Sequence, residues 1–367
     1  MALDRRYDID WLRVIAIGLL LIYHIAIAFQ PWGVFIGFIQ SDQPMEWIWI
    51  PMAMLNVWRI PLLFFVSGMG VYFAMRKRSM KELITERSKR ILIPFLFGTV
   101  CIVPLQFLIW QNYYNQDGTY ILNPAHLWFL GNIFIYVLVL APAFYYLKKN
   151  PEGKFFKISS AILGHPIGVL VLIIPLLLET LIVNPENFEM YAQTMHGFWL
   201  GLIAFASGFL CVYGGSKFWE NVRKWKWIYL GIALSFYATR LLVFELAPPS
   251  SMLPIESVFW ILFVFGFGYQ YLNRSSNSLS YLSQAAYPIY ILHMLFQYAA
   301  SYLYFPLEVS VGTKLWLVLI FTYSCSFICY EFLIRRISVL RPLFGLKRKT
   351  VLDNEPTLKT ELKQHIG

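Results

Sequence analysis

The sequence predicts an all-α integral membrane protein, a polytopic bundle of about ten transmembrane helices with both chain ends on the cytoplasmic side. Three observations carry this reading. Mean hydropathy is +0.58, with 58% hydrophobic and only 14% charged residues among 367, so water is not the main solvent. Apolar stretches of ~18 residues or more recur along the whole chain, and each can cross a hydrocarbon core of roughly 30 Å as a helix. The 30 Lys and Arg residues are sorted by loop: all but Arg13, Arg59, Arg240 and Lys314 fall in segments that an even number of spans places on one side. The positive-inside rule makes that side the cytoplasm, and the protein is expected in a cell inner membrane.

The spans fall near residues 10–29, 52–74, 91–110, 127–147, 160–183, 197–213, 227–246, 254–272, 284–305 and 314–334. The first, with Arg5 and Arg6 before it and Ala26-Ile27-Ala28 near its end, has the outline of a cleavable signal peptide. A signal has no use for Arg13 and His24, so this helix is read as retained. The second span carries Arg59 and Ser67-Gly68, and the third follows the basic run 76–90. The fourth ends at the first lysines of the cluster 148–157, and the fifth carries Glu179 toward its outer end. A basic cluster at 217–226 separates the sixth from the seventh, which holds Arg240. Arg274 follows the eighth span, His293 lies near the middle of the ninth, and Glu331 lies near the inner end of the tenth. Residues 1–349 are expected to form one membrane domain and 350–367 a polar cytoplasmic tail.

The net charge of +10 does not point to nucleic acid, because the cations sit in short clusters between apolar runs, without interleaved aromatics. Cys101, Cys211, Cys325 and Cys329 all lie in apolar runs, where they pack as small hydrophobes, and no metal site is expected. No internal repeat, Gly-rich phosphate loop or paired-half transporter symmetry is seen. The outer loops, such as 30–51 and 112–125, are rich in Trp, Tyr, Asn and Pro. They suit an interfacial belt first, and their aromatic faces also stack on sugar rings.

A polar side chain in lipid should face a partner or a wet cavity. Arg13 and His24 have ten residues between them, so at 100° per residue they share a face to within about 20° and stand roughly 16 Å apart along the axis. Arg13, near the cytoplasmic end, can hold phosphates through bidentate charge-assisted bonds. His24, farther out, can take a proton from a hydroxyl. A snorkelling Arg and a His bonded to a neighbouring carbonyl fit the same spacing equally well. Arg240 is expected to pair with Glu245 and His293 to bridge helices, while His165 and His196, at span edges, are lesser candidates.

Six motifs occur in order: Arg13 with His24; RIPLLFFVSG at 59–68; ERSKRILIPFLFG at 86–98; HLWFL at 126–130; YPIYILHMLF at 287–296; and YEFLIRRISVLRPLFGLK at 330–347. Together they resemble the acyltransferase 3 family over nearly the whole chain, on the branch that resembles glucan biosynthesis protein C. The resemblance implies ten membrane helices, an acyl-CoA donor on the cytoplasmic side, and O-acylation of a carbohydrate, lipid or related acceptor outside. It implies that Arg13 and His24 are essential, and that Arg59, Arg90, Trp128, His293 and Glu331 fall in or beside functional motifs. No permanently bound cofactor is implied; acyl-CoA is a substrate, with acetyl or succinyl as the expected group.

The expected mechanism follows. Arg13 with Arg87 and Arg90 holds the CoA head while the pantetheine arm brings the thioester to His24. His24 is the general base, and Arg59 steadies the acceptor or the developing oxyanion. Ser67, Trp128, His293 and Glu331 are further candidates, and a covalent acyl-His intermediate stays open. The rival readings are a glycan or lipid transporter or flippase, which needs buried Arg and His but no thioester chemistry, and a non-catalytic scaffold for envelope assembly.

Overall fold

The computed structural model describes residues 6–348, and no strand occurs among them. Arg5 and the tail expected at 350–367 lie outside the described residues. The long helices are α1 (Tyr7–Ile27), α2 (Trp49–Met75), α3 (Met80–Tyr113), α4 (Ala125–Lys149), α5 (Lys154–Leu163), α6 (Gly168–Val183), α7 (Met195–Tyr213), α8 (Ser216–Leu242), α9 (Met252–Tyr271), α10 (Asn277–Tyr304) and α11 (Val311–Ile334). Seven of them, α1, α2, α3, α4, α7, α9 and α11, are long and apolar enough to cross a membrane.

The fifth span expected at 160–183 is not one straight helix. α5 and α6 pass that test only as a pair, and they meet at a bend of 112°. The break contains Gly164 and Pro166, and Gly168 opens α6; a proline ends the hydrogen-bond ladder and drives the residue before it out of the helical region. α8 and α10 are long but less apolar, because α8 begins with Lys217, Glu220, Arg223, Lys224 and Lys226, and α10 is rich in Ser, Gln and Tyr.

α1 lies at the centre, against α2, α9, α10 and α11, while α2 lies along α7 and α8 along α9. The pairing of α2 with α7 needs glycine. A Cβ on Gly68 would sit 1.9 Å from the Phe205 carbonyl oxygen, and one on Gly208 would sit 2.0 Å from that of Phe65. Without side chains there the two backbones touch, the close approach that small residues permit in membrane bundles. α3 has two π-helical turns, Ser88–Leu92 and Gly98–Ile102, each just before a proline, Pro94 or Pro104. A wider turn relieves the clash of the proline ring with the carbonyl four residues back.

The connections 28–48, 114–124 and 184–194 gather at one end of the bundle. There the Gln40 amide donates to the Tyr114 hydroxyl at 3.1 Å, Gln193 Nε2 to Asn123 Oδ1 at 3.1 Å, and the buried Lys314 ammonium to Asp42 at 2.8 Å. Lys314 holds the Asp42 carboxyl below the usual carboxylate range. The basic clusters lie at the opposite end, where the Arg6 guanidinium stacks 3.7 Å above the Trp219 ring and Lys148 caps the Met75 carbonyl.

Candidate active site

At the loop-rich end a cavity of about 350 Å³ opens among α1, α2, α3, α4, α10 and the three connections. His24, Arg59, Trp128 and His126 all line it. Pro61 explains how α2 and the 184–194 connection meet there. Lacking an N–H, it leaves the Val57 carbonyl without its helical donor, and the Tyr191 hydroxyl donates to that oxygen at 3.3 Å. Burial pushes the Tyr191 phenol well above its ordinary pKa, so it keeps the proton it donates. The same connection brings Glu189 to the cavity wall. Burial raises the Glu189 carboxyl while Arg240 pulls it down.

Arg59 is 2% exposed, its guanidinium 3.8 Å above the Tyr23 ring. Nε and Nη1 have no hydrogen-bond partner, and among the described residues no carboxylate lies within ion-pair distance. Such a cation can receive negative charge that a ligand brings or that develops on it.

His24 Nδ1 lies 2.9 Å from His293 Nε2, with the two rings parallel to within 4°. His293 is 1% exposed, stands behind His24 rather than on the cavity wall, and approaches the Tyr290 carbonyl through Nδ1 at 2.6 Å. The expected helix-bridging role of His293 is therefore a bond to His24 itself. The Gln297 amide also ties α10 to α1 by donating to the His24 carbonyl at 3.2 Å. His126 packs edge-on against His293, ring centres 5.0 Å apart, and its Nε2 lies 3.3 Å from the Ile291 carbonyl. Tyr290 donates its hydroxyl to the His126 carbonyl.

Arg13 and Arg87 meet at the opposite end of α1. Arg87 Nη2 donates to the Gly70 carbonyl at 3.3 Å, and a Cβ on Gly70 would stand 3.3 Å from Arg13 Nη2. Arg13 pairs with Asp10 at 3.3 Å, and Glu86 lies 3.3 Å from Arg87 and 3.4 Å from Arg90. Arg90 is half-exposed. Two separate groups of polar residues thus lie along α1, one around Arg13 and one around His24.

Other candidates lie elsewhere. Ser67 bonds the Leu63 carbonyl of its own helix at 2.7 Å and does not line the cavity. Glu331 accepts from Tyr281 and Arg335 at the far end of α11. Arg240 pairs not with Glu245 but with Glu256 at 3.0 Å and Glu189 at 3.3 Å, because α8 and α9 run side by side while Glu245 lies past the end of α8. His196 is buried and sits between the Glu179 carboxylate and the Phe188 carbonyl, each at 3.0 Å. The sequence assigns no site role to His126, Asn56, Gln106 or Glu189. His126 had one available signal, the motif it opens two residues before Trp128; the others carry no spacing that marks them. Among the described residues no group of three or more His, Cys, Asp or Glu is placed to hold a metal ion.

A family model described as an acyltransferase domain matches residues 6–331. No curated protein and no solved structure matches the chain.

Proposed function

We propose, from the premise that the chain belongs to the acyltransferase domain family, that it is a multi-pass inner-membrane O-acyltransferase with ten spans and both ends inside. It would move an acetyl or succinyl group from cytoplasmic acyl-CoA to a hydroxyl of an extracytoplasmic carbohydrate or glycolipid, as on the glucan biosynthesis protein C-like branch. The observation that carries this reading is that an imidazole and a guanidinium without a carboxylate partner line one cavity, joined by α1 to a second cationic group at the basic end.

In the proposed reaction the acceptor hydroxyl oxygen attacks the thioester carbonyl carbon and His24 Nε2 takes the hydroxyl proton. The carbonyl oxygen becomes an oxyanion, which Arg59 stabilises. The C–O bond forms and the C–S bond breaks, the thiolate takes the proton from His24, and CoA leaves as the thiol. Arg13 and Arg87 hold donor phosphates at the other end of α1, with Arg90 beside them. Trp128 gives the acceptor a flat aromatic wall.

The test is a mass comparison of envelope glycans and lipids from cells with and without the gene, joined to transfer of labelled acetyl and succinyl from their CoA thioesters by purified protein. Loss of an acyl mass in the deletion strain, with label transfer in vitro, is the expected result. Unchanged masses with accumulation of an unmodified glycan on the cytoplasmic face would instead indicate a flippase.

A further inference from the structure

We infer that His293 is the positioning residue of the site: it fixes the tautomer of His24 so that the bare nitrogen faces the cavity. The inference rests on the acyl-transfer reading for its purpose, but its geometry stands alone. The Tyr290 carbonyl can only accept, so His293 Nδ1, 2.6 Å away, must carry a hydrogen. In a neutral imidazole the other nitrogen is then bare, so His293 Nε2 accepts. The atom facing it at 2.9 Å is His24 Nδ1, which must therefore donate. With its hydrogen on Nδ1, a neutral His24 has its lone pair on Nε2, and the ring lines the cavity.

A bridge between helices would tolerate either direction of these bonds. Here a backbone carbonyl, which cannot reverse its role, sets the direction for both rings. Nearby groups do not oppose it. Among the described residues no carboxylate lies within ion-pair distance of either imidazole, and the third ring, His126, directs its Nε2 to the Ile291 carbonyl. From α1, Tyr23 packs against the His24 ring; from α2, Arg59 lines the same cavity; from α10, Gln297 holds the His24 carbonyl. When Nε2 takes a proton, the positive charge spreads to Nδ1–H, and the bond to His293 strengthens. The group behind His24 is a neutral imidazole, so no carboxylate holds the proton back as it passes to the thiolate.

The experiment uses the full chain, labelled with ¹⁵N-histidine, in micelles of n-octyl β-D-glucoside as acceptor with acetyl-CoA as donor. His24→Gln assigns the His24 signals. We expect the parent spectrum to show Nδ1 of His24 protonated and Nε2 bare. His293→Gln keeps an acceptor near the Nε2 position and should retain that tautomer, with kcat within about tenfold of the parent. His293→Asn is one methylene shorter and leaves His24 Nδ1–H without its acceptor; kcat should fall roughly 10²-fold, with KM for both substrates unchanged. A parent spectrum with Nε2 protonated overturns the inference, as does a folded His293→Asn protein with parental kcat. If His293→Asn fails to fold, the parent spectrum and the Gln variant decide. If the parent shows the expected tautomer yet transfers no acetyl group, the positioning role stands and the acyltransferase reading falls.

Discussion

Replacing His24 separates the chemical step from the architecture around it. The Ala variant removes the proposed base, and loss of a positioned base lowers turnover by roughly 10²- to 10⁴-fold, or about 3–5 kcal/mol of barrier. It also strips His293 Nε2 of the donor 2.9 Å away, in a residue 1% exposed. A buried acceptor left without a partner costs roughly 1–3 kcal/mol of stability, so the folded yield should fall as well. His24→Asn is the discriminating change, because the Asn amide nitrogen can stand close to where the ring places Nδ1. Its amide offers His293 a donor but cannot titrate, so it should restore most of the yield and none of the turnover. Donor affinity should be near parental in both, because the Arg13 and Arg87 group lies at the other end of α1. The assay is label transfer from acetyl- and succinyl-CoA, with acyl-CoA affinity, on the same folded preparations. Near-parental transfer by the Asn variant would remove His24 from the mechanism and make its bond to His293 a helix bridge only.

Three further outcomes are expected. Arg13→Lys should weaken acyl-CoA binding in titration calorimetry, with affinity falling further as salt is raised, since a point charge does not reproduce the guanidinium fork; parental binding would refute the bidentate role. Arg240→Met, which leaves Glu256 buried and unpaired at 0% exposure, should lower stability by roughly 3–5 kcal/mol in thermal unfolding, and the double change with Glu256→Leu should recover much of it. Reporters fused in 76–90, 148–157 and 217–226 should read cytoplasmic and those in 30–51 and 184–196 external; a cytoplasmic signal near Asn184 would refute the ten-span reading.

Much of the fold was legible because membrane helices satisfy their own backbone and announce themselves by long apolar runs. α1, α2 and α4 fall close to where hydropathy puts them. The break between α5 and α6 is masked in the sequence because apolar runs continue through it, although Gly164, Pro166 and Gly168 mark it. Within the site, His24 and Arg59 stood out as titratable groups inside apolar runs. The contacts that give them partners did not. His24 meets His293 across 269 positions of chain, and Tyr191 reaches Val57 across 134. Proximity in sequence assigns Arg240 to Glu245, whereas side-by-side helices bring Glu256 to it.

The treatment of buried cations separates the cavity from the rest of the bundle. Arg6 meets Asp8, Arg240 meets Glu256 and Glu189, and Lys314 meets Asp42, while Lys226 donates to the Arg223 carbonyl beside the Trp227 and Tyr271 rings. These pairs follow the rule that a charge removed from water must find a counter-charge or a full set of acceptors. Arg59 departs from it, with two guanidinium nitrogens unmatched beside a ring face. The fold could have offset that cost with Glu189, which lines the same cavity, but Glu189 is committed to Arg240. An unmatched charge of several kcal/mol persists only where the surrounding packing over-determines it, and here α2 is locked to α7 through Gly68 and Gly208. The rigid contact, at Phe65 and Gly68, lies about two turns from Arg59 on the same helix. On the proposed mechanism this is the arrangement an oxyanion requires, because a guanidinium already held and already desolvated does not have to reorganise as the charge develops.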